Sequence, residues 1–346
     1  MGQPAKLGFS TGTTEGRSAG AGFGNAGAVN PLLTLVADGQ GGVFSRRQAL
    51  AAGYTHEQIQ ERLGDGRWVR LRHGQYSERV DSGHLPPWER ELQLHRRLVH
   101  AAVNSMQPGT AVVSHHSALI MHGVPVWDAD LSEVQLTRSS GWRKGAVAGV
   151  RHHRGQLSGS DVDEVDGLKV TAVARALVET AGTGAFEAAV VSADAALRDG
   201  RLSDDEVRRV LELTEYWPGG PTIRAALAFA NPLAESVGES RLRVLMHQQG
   251  LPAPGLQVTY RDADGFVARV DFDFPDQNTV VEFDGLLKYA DGAREALIQE
   301  KFREDRLRAM GLEVVRTTWD DLAHPRRTAW EIRRAFDRAR RTRLAG

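Results

Sequence analysis

The chain of 346 residues contains no cysteine. That excludes disulfide frameworks, thiolate zinc sites and cysteine nucleophiles together, and accords with a reducing cytosol. It also lacks an apolar run of the roughly 18 residues that a membrane helix needs, and a charged start followed by an apolar core of the secretory kind. The expectation is a cytoplasmic protein with no membrane partner. Neither sign of charge prevails, since 43 Lys and Arg against 44 Asp and Glu leave a formal net charge of −1. A uniformly basic nucleic-acid coat is thereby excluded, and any such surface must come from local segregation of charge. Aromatics are sparse and Trp127, Trp142 and Trp217 are scattered, so no stacking platform for single strands is visible.

What is present suggests an α+β multidomain chain. Residues 1–30 are rich in Gly, Ser, Thr and Ala without apolar periodicity and read as a disordered leader. Order begins at residue 31. Leu32, Leu33 and Val36 predict a short helix, Ser45 caps a second that Gly53 ends, and Thr55 caps a third carrying Ile59 and Leu63. "RWVRLRHGQY" then reads as two strands about His73-Gly74. This order over 31–82 is that of a winged helix-turn-helix, whose second helix enters the major groove while basic wing residues meet phosphates. Gln58, Gln60 and Arg62 are the groove candidates; Arg67, Arg70 and Arg72, with no acids expected near them, are the backbone candidates. A small packing domain that touches protein instead of DNA is the alternative.

Residues 83–232 alternate helical and strand-like patterns and predict an α+β middle domain. Two His-His pairs, His115-His116 and His152-His153, lack a further ligand at a recurring metal spacing. Each pair is expected to pack one ring and solvate the other. A turn-rich stretch over 215–240 sets the next boundary near Pro232.

The last unit, 233–346, reads helix, strand, strand, helix, strand, helix. With Phe274 opposite Thr279, the hairpin over 265–285 sets Asp271 opposite Glu282. Alternation sends Val270, Phe272 and Phe274 to one face, and Arg269, Asp271, Asp273, Glu282 and Asp284 to the other. Like charges so placed destabilise a sheet unless a cation meets them. Mg²⁺ suits such oxygen donors; Arg269, opposite Asp284, could neutralise part of the charge instead. "SVGE" makes Ser236 and Glu239 a capping box, which also sets a third carboxylate at a helix start before the hairpin. The segment "HPRRTAWEIRRAFDRARRTRLAG" is an arginine-rich end helix with Trp330, Ala335, Phe336 and Ala339 as its apolar stripe, suited either to DNA backbone or to plain solvation.

Glu239, Asp271, "VEFDG" and "EKFREDRLRAMGLEVVRTTWDDL" resemble the PD-(D/E)XK nuclease superfamily, in its Vsr-like branch, over about 233–323. The resemblance implies a restriction-endonuclease-like α/β domain with a mixed sheet. It implies Asp271, Glu282 and the Phe283 carbonyl as ligands of Mg²⁺, or Mn²⁺, with Glu239 as an outer carboxylate and hydrolysis of DNA by a metal-activated water. The superfamily places Lys two residues after the second acid, where this chain has Asp284; Lys288, or Lys301 if not paired to Asp305, would supply the charge. Upstream, "GGVFSRRQALAAGYTHEQIQERLGDGRWVRLRHGQY" is similar to the winged-helix domain of AbiEi-type antitoxins, with a weaker likeness to residue 232. That likeness implies operator DNA and a cognate toxin as partners, and no catalysis. The two functional expectations are a DNA-binding protein with a Mg-dependent endonuclease domain, with RNA as another substrate, and a non-enzymatic repressor with a degenerate nuclease fold.

Overall fold

The computed structural model describes residues 30–138, 145–213, 215, 217, 219–285 and 293–345. The described residues form a mixed α/β fold with three separate sheets.

The first unit runs α1 (Pro31–Asp38), β1 (Val43–Ser45), α2 (Arg46–Ala51), α3 (His56–Gly64), β2 (Trp68–Arg72) and β3 (Gln75–Glu78). Ser45 with Gln48 and Thr55 with Gln58 form the capping boxes that start α2 and α3. Gly53, at φ +95°, turns the chain between them, a conformation that costs glycine little. Three antiparallel strands in the order β1-β3-β2 back the helices. Phe44, Ile59, Trp68, Tyr76 and Leu33 fill the core. The sequence reading missed β1, because three residues are too few to show alternation. Of the α1 leucines only Leu33 is buried, while Leu32 and Leu35 are exposed.

The middle unit opens with α4 (Pro87–Asn104), which lies across the first sheet. His100 packs so closely on Gly41 that a Cβ there would stand 2.4 Å from its ring, and Asn104 donates to Gln40 at 2.8 Å. There follow β4 (Val112–Val113), α5 (His115–Met121), β5 (Val134–Arg138), β6 (Gly145–Val147), β7 (Val150–Arg154), β8 (Val162–Val165) and β9 (Leu168–Thr171). These strands form one mixed sheet, β6-β7-β5-β4-β9-β8, parallel only at β5–β7 and β4–β9. Helices α4 and α5 lie against this sheet, and α6 (Val173–Ala181) packs on α5 and is followed in a further layer by α7 (Phe186–Arg198), α8 (Asp204–Leu213) and α9 (Gly220–Phe229), which share its apolar cluster. The β8–β9 hairpin turns at Asp166-Gly167, both at positive φ, the two-residue turn that an Asp-Gly step favours. The turn-rich reading of 215–240 is corrected by α9.

The last unit comprises α10 (Val237–Gln248), β10 (Gly255–Asp262), β11 (Gly265–Phe274), β12 (Thr279–Phe283), α11 (Ala293–Ala309), β13 (Glu313–Thr317), α12 (Trp319–Leu322) and α13 (Pro325–Ala345). Its sheet, β10-β11-β12-β13, is antiparallel except at β12–β13. β10 is an extra strand that the sequence reading left out; its signal is the "DADG" turn into Gly265, at φ +107°. Phe272, Phe274 and Val281 pack on α10 and α13, while Val270, Val280 and Val314 meet Leu307 of α11. Val270 therefore leaves the face it was expected to share with Phe272 and Phe274. On α13, Ala335, Phe336 and Ala339 are buried as expected, but Trp330 is exposed beneath Arg334, whose guanidinium lies 4.6 Å from its ring. Among the described residues no helix is long and apolar enough to cross a membrane.

The middle and last units are joined by a buried ion pair. Arg243 of α10 donates to both oxygens of Asp194 on α7 at 2.8 Å, and Ser240 adds a third bond at 2.7 Å. Arg241 lies 3.7 Å above the Trp127 ring and reaches Glu187 at 2.6 Å.

Candidate nucleic-acid interface and acidic face

On α3, Gln58 is committed to the helix start: its Oε1 accepts from the Thr55 N–H at 2.9 Å. Arg62 folds back over the rings of Tyr54 and Trp68, 4.9 and 5.8 Å from their centroids. Gln60 is exposed. On the wing, Arg67 reaches Asp65 at 2.5 Å and Glu61 at 3.1 Å, which corrects the expectation that it lacks nearby acids. Arg72 is half-buried, and desolvation lowers its pKa. Arg70 is exposed and has no ion pair among the described residues. The structure thus leaves Gln60 and Arg70 as the predicted contacts best presented to a ligand. Sequence reasoning passed over Arg46, Arg47 and His56 at the starts of α2 and α3, where Arg46 and His56 meet at 2.8 Å; their signal was their place beside the two capping boxes.

Neither His pair divides into one packed and one solvated ring. His115 and His116 are both buried, and His115 stacks on His153 at 3.7 Å between centroids. Burial drives the His115 pKa down to about 2. Nearby His95 falls to about 4 for the same reason, held between the Leu131 carbonyl and Ser117.

In the last unit the expected register holds: Phe274 pairs with Thr279 and Phe272 with Val281. Past that point the Asp271 carboxylate enters the ladder, accepting from the Phe283 N–H at 2.8 Å. Gln257 Nε2 joins it to Glu239, at 3.3 Å from Asp271 and 3.0 Å from Glu239. Glu239 also accepts from the Ser236 hydroxyl at 2.8 Å and the Glu235 N–H at 2.9 Å, so its capping role and its place near Asp271 coexist. Gly238 lets this helix start come close, since a Cβ there would stand 2.0 Å from the Phe283 ring.

Desolvation raises the pKa of Glu239, Asp271 and Glu282 alike, and the Asp271 charge adds to the rise at the two glutamates. Glu282, buried to 5% exposure, is met by Arg303 at 3.1 Å and Arg316 at 3.4 Å. Asp284 takes Arg316 at 3.0 Å. Arg269, expected opposite Asp284, instead pairs with Glu235 at 2.8 Å. Lys301 is exposed and forms no ion pair with Asp305 among the described residues. Lys288 lies outside the described residues.

A divalent ion at this site would need oxygen atoms free to approach to about 2.0–2.6 Å. Here Asp271 is taken by two N–H donors and Glu282 by two guanidinium groups. Among the described residues no group of three or more His, Asp or Glu side chains is arranged to hold a metal. As folded, the donor set does not fit Mg²⁺ or Mn²⁺. Arg303 and Arg316 were missed from the sequence; the signal for Arg316 was the parallel register that sets it beside Glu282.

Residues 31–78 match the family model for the AbiEi antitoxin, a transcriptional regulator. Among solved structures, that of the RV2827C protein from Mycobacterium tuberculosis aligns with 60% of this chain and 84% of its own at 15% identity and a TM-score of 0.33, too low to carry an argument. Two curated relatives are the uncharacterized proteins Rv2248 and MT2308 of Mycobacterium tuberculosis, strains H37Rv and CDC 1551. Each is 30% identical over 287 residues, covering 83% of this chain and 98% of the relative. The chain belongs to the family of these two mycobacterial proteins, and carries an AbiEi-type regulator module over residues 31–78.

Proposed function

We propose that the chain is a DNA-binding transcriptional regulator of the AbiEi antitoxin type, organised as a reader over 31–82, a middle domain over 83–232 and a nuclease-like domain over 233–346. The match of 31–78 to that family, on a helix-helix-wing module with Gln60 and Arg70 exposed, is the observation that carries this reading. Arg70 at the wing supplies a phosphate contact, and Gln60 faces the groove. The test is titration of the chain against DNA from its own promoter over a range of salt. Binding that steepens with falling salt and weakens in Arg70→Ala supports the reading. Binding indifferent to salt and to Arg70 overturns it. The cognate toxin partner implied by the same module is tested by whether the chain relieves the growth arrest caused by a candidate toxin.

A second reading is metal-dependent DNA hydrolysis in a Vsr-like PD-(D/E)XK domain, with Asp271, Glu282 and the Phe283 carbonyl as the ion's ligands, Glu239 as an outer carboxylate and Lys288, outside the described residues, in the role of water-orienting group. The Gln257 bridge that holds Glu239 beside Asp271 supports it; the two arginines on Glu282 oppose it. Plasmid nicking with Mg²⁺ or Mn²⁺, absent in Asp271→Ala and Glu282→Ala, is the result it requires.

A further inference from the structure

β13 lies parallel to β12 with Arg316 beside Glu282. Helix α11 covers this part of the sheet. Its Leu307 closes the apolar cluster with Val280 and Val314, and Glu304, Arg303 and Glu300 follow one and two turns earlier on the same helix face. The Arg316 guanidinium therefore meets four carboxylates. Nη1 stands 3.0 Å from Asp284, Nη2 2.5 Å from Glu300 and 3.4 Å from Glu282, and Nε 3.1 Å from Glu304. Arg303 adds contacts to Glu282 at 3.1 Å and Glu300 at 2.6 Å.

We propose that Arg316 is the resident cation of this pocket. Its guanidinium gathers the acids of β12 and α11 in place of a divalent ion, closing the folded chain to Mg²⁺ and Mn²⁺ at Glu282. Removing it leaves Glu282, Asp284, Glu300 and Glu304 with Arg303 as the one guanidinium among the described residues still on Glu282 and Glu300, and the excess of carboxylate opens a divalent-cation site there.

The chemistry of the two cations supports the exclusion. A planar fork of five N–H donors spreads its charge over several carboxylates at hydrogen-bond distance. A divalent ion instead draws two or three oxygens to about 2 Å and repels a guanidinium beside it. Both guanidinium groups meet Glu282 at Oε2, and their positive charge opposes a divalent ion at the same carboxylate. The inference is independent of the DNA-binding reading, since it concerns the opposite end of the chain and is read without DNA.

The experiment measures Mn²⁺ uptake by the full chain, from the electron paramagnetic resonance of free Mn²⁺, together with thermal unfolding with and without the metal. Wild type is expected to take up no Mn²⁺ at about 1 mM, a concentration that serves even weak oxygen sites, and to unfold at the same temperature either way. Arg316→Met is expected to bind one ion and to unfold at a higher temperature with Mn²⁺ than without. Adding Glu282→Gln to Arg316→Met is expected to abolish both effects, and Arg316→Lys, which keeps a cation, to behave as wild type. Mn²⁺ uptake by wild type that Glu282→Gln removes overturns the proposal, as does a folded Arg316→Met chain that binds none. Should Arg316→Met fold only with Mn²⁺ present, that rescue supports the proposal. Should it fold under neither condition, wild type and Arg316→Lys decide: uptake at Glu282 by either overturns it, and uptake by neither supports it.

Discussion

The winged module and the acidic face of the last sheet both rely on arginine, and use it in opposite ways. Arg70 projects from the wing without an ion pair among the described residues, a charge left for something outside the chain. Arg316 is spent inside the fold on Glu282, Asp284, Glu300 and Glu304. The same side chain is thus left open to solvent where its carboxylate partners are absent and becomes a structural counter-ion where they converge. Arg67 shows that the sequence neighbourhood alone does not decide which, for it lies on the wing yet folds onto Asp65 and Glu61.

The inward use is tested most severely at Arg243. Asp194→Ala leaves that buried guanidinium without its carboxylate, and the expected loss is about 3–5 kcal/mol in urea unfolding. A loss below about 1 kcal/mol, the scale of an exposed pair, would erase the distinction. Next comes Gly238→Ala. At an ordinary helix position this change gains up to about 1 kcal/mol. Here the new methyl strikes the Phe283 ring, so a net loss of about 1–3 kcal/mol is expected. Stabilisation would mean that the α10 start and β12 are not so close.

The outward use is sharpened by comparing Arg70→Ala with Arg67→Ala. The first is expected to weaken DNA binding several-fold at every sequence and to lower the salt slope by about 1; the second is expected to do less, its charge being already shared with Asp65 and Glu61. Equal effects would show that the ion pairs on Arg67 open freely.

The smallest effect is a pH dependence at Asp271. Its folded pKa is raised by burial, so the folded chain holds this proton more tightly than the unfolded one. The associated stability is present at low pH, declines as pH rises from the ordinary carboxylate value to the raised one, and is then constant. The stability of wild type relative to Asp271→Asn should therefore fall across that window. A difference that rises with pH would mean that the ionised form is the one the fold favours.

Much of the architecture was legible in the sequence. Ser45 and Thr55 announced their helix starts, and the four-residue loop at 275–278 fixed the Phe274–Thr279 and Phe272–Val281 pairs, but the ladder ends there and Asp271 turns its carboxylate to the Phe283 N–H instead of pairing with Glu282. Local chemistry failed where partners come from distant segments. Arg316 and Arg303 lie 34 and 21 residues beyond Glu282, and only the parallel β12–β13 pairing and the packing of α11 bring them to it. Gln58 illustrates a different limit. Its position on α3 suited groove contact, but the capping box claimed the side chain first. A strand as short as β1 gains its identity from its neighbours in the sheet, so no periodicity within it could reveal it.

The Asp194–Arg243 pair has a practical consequence for dissecting the protein. A cut near residue 232 would tear a guanidinium and a carboxylate out of a dry contact and leave each fragment with an unmatched charge on a newly wetted face. Fragments made there would be poorer folders than the whole, so differences in their behaviour would reflect the severed contact as much as any division of labour.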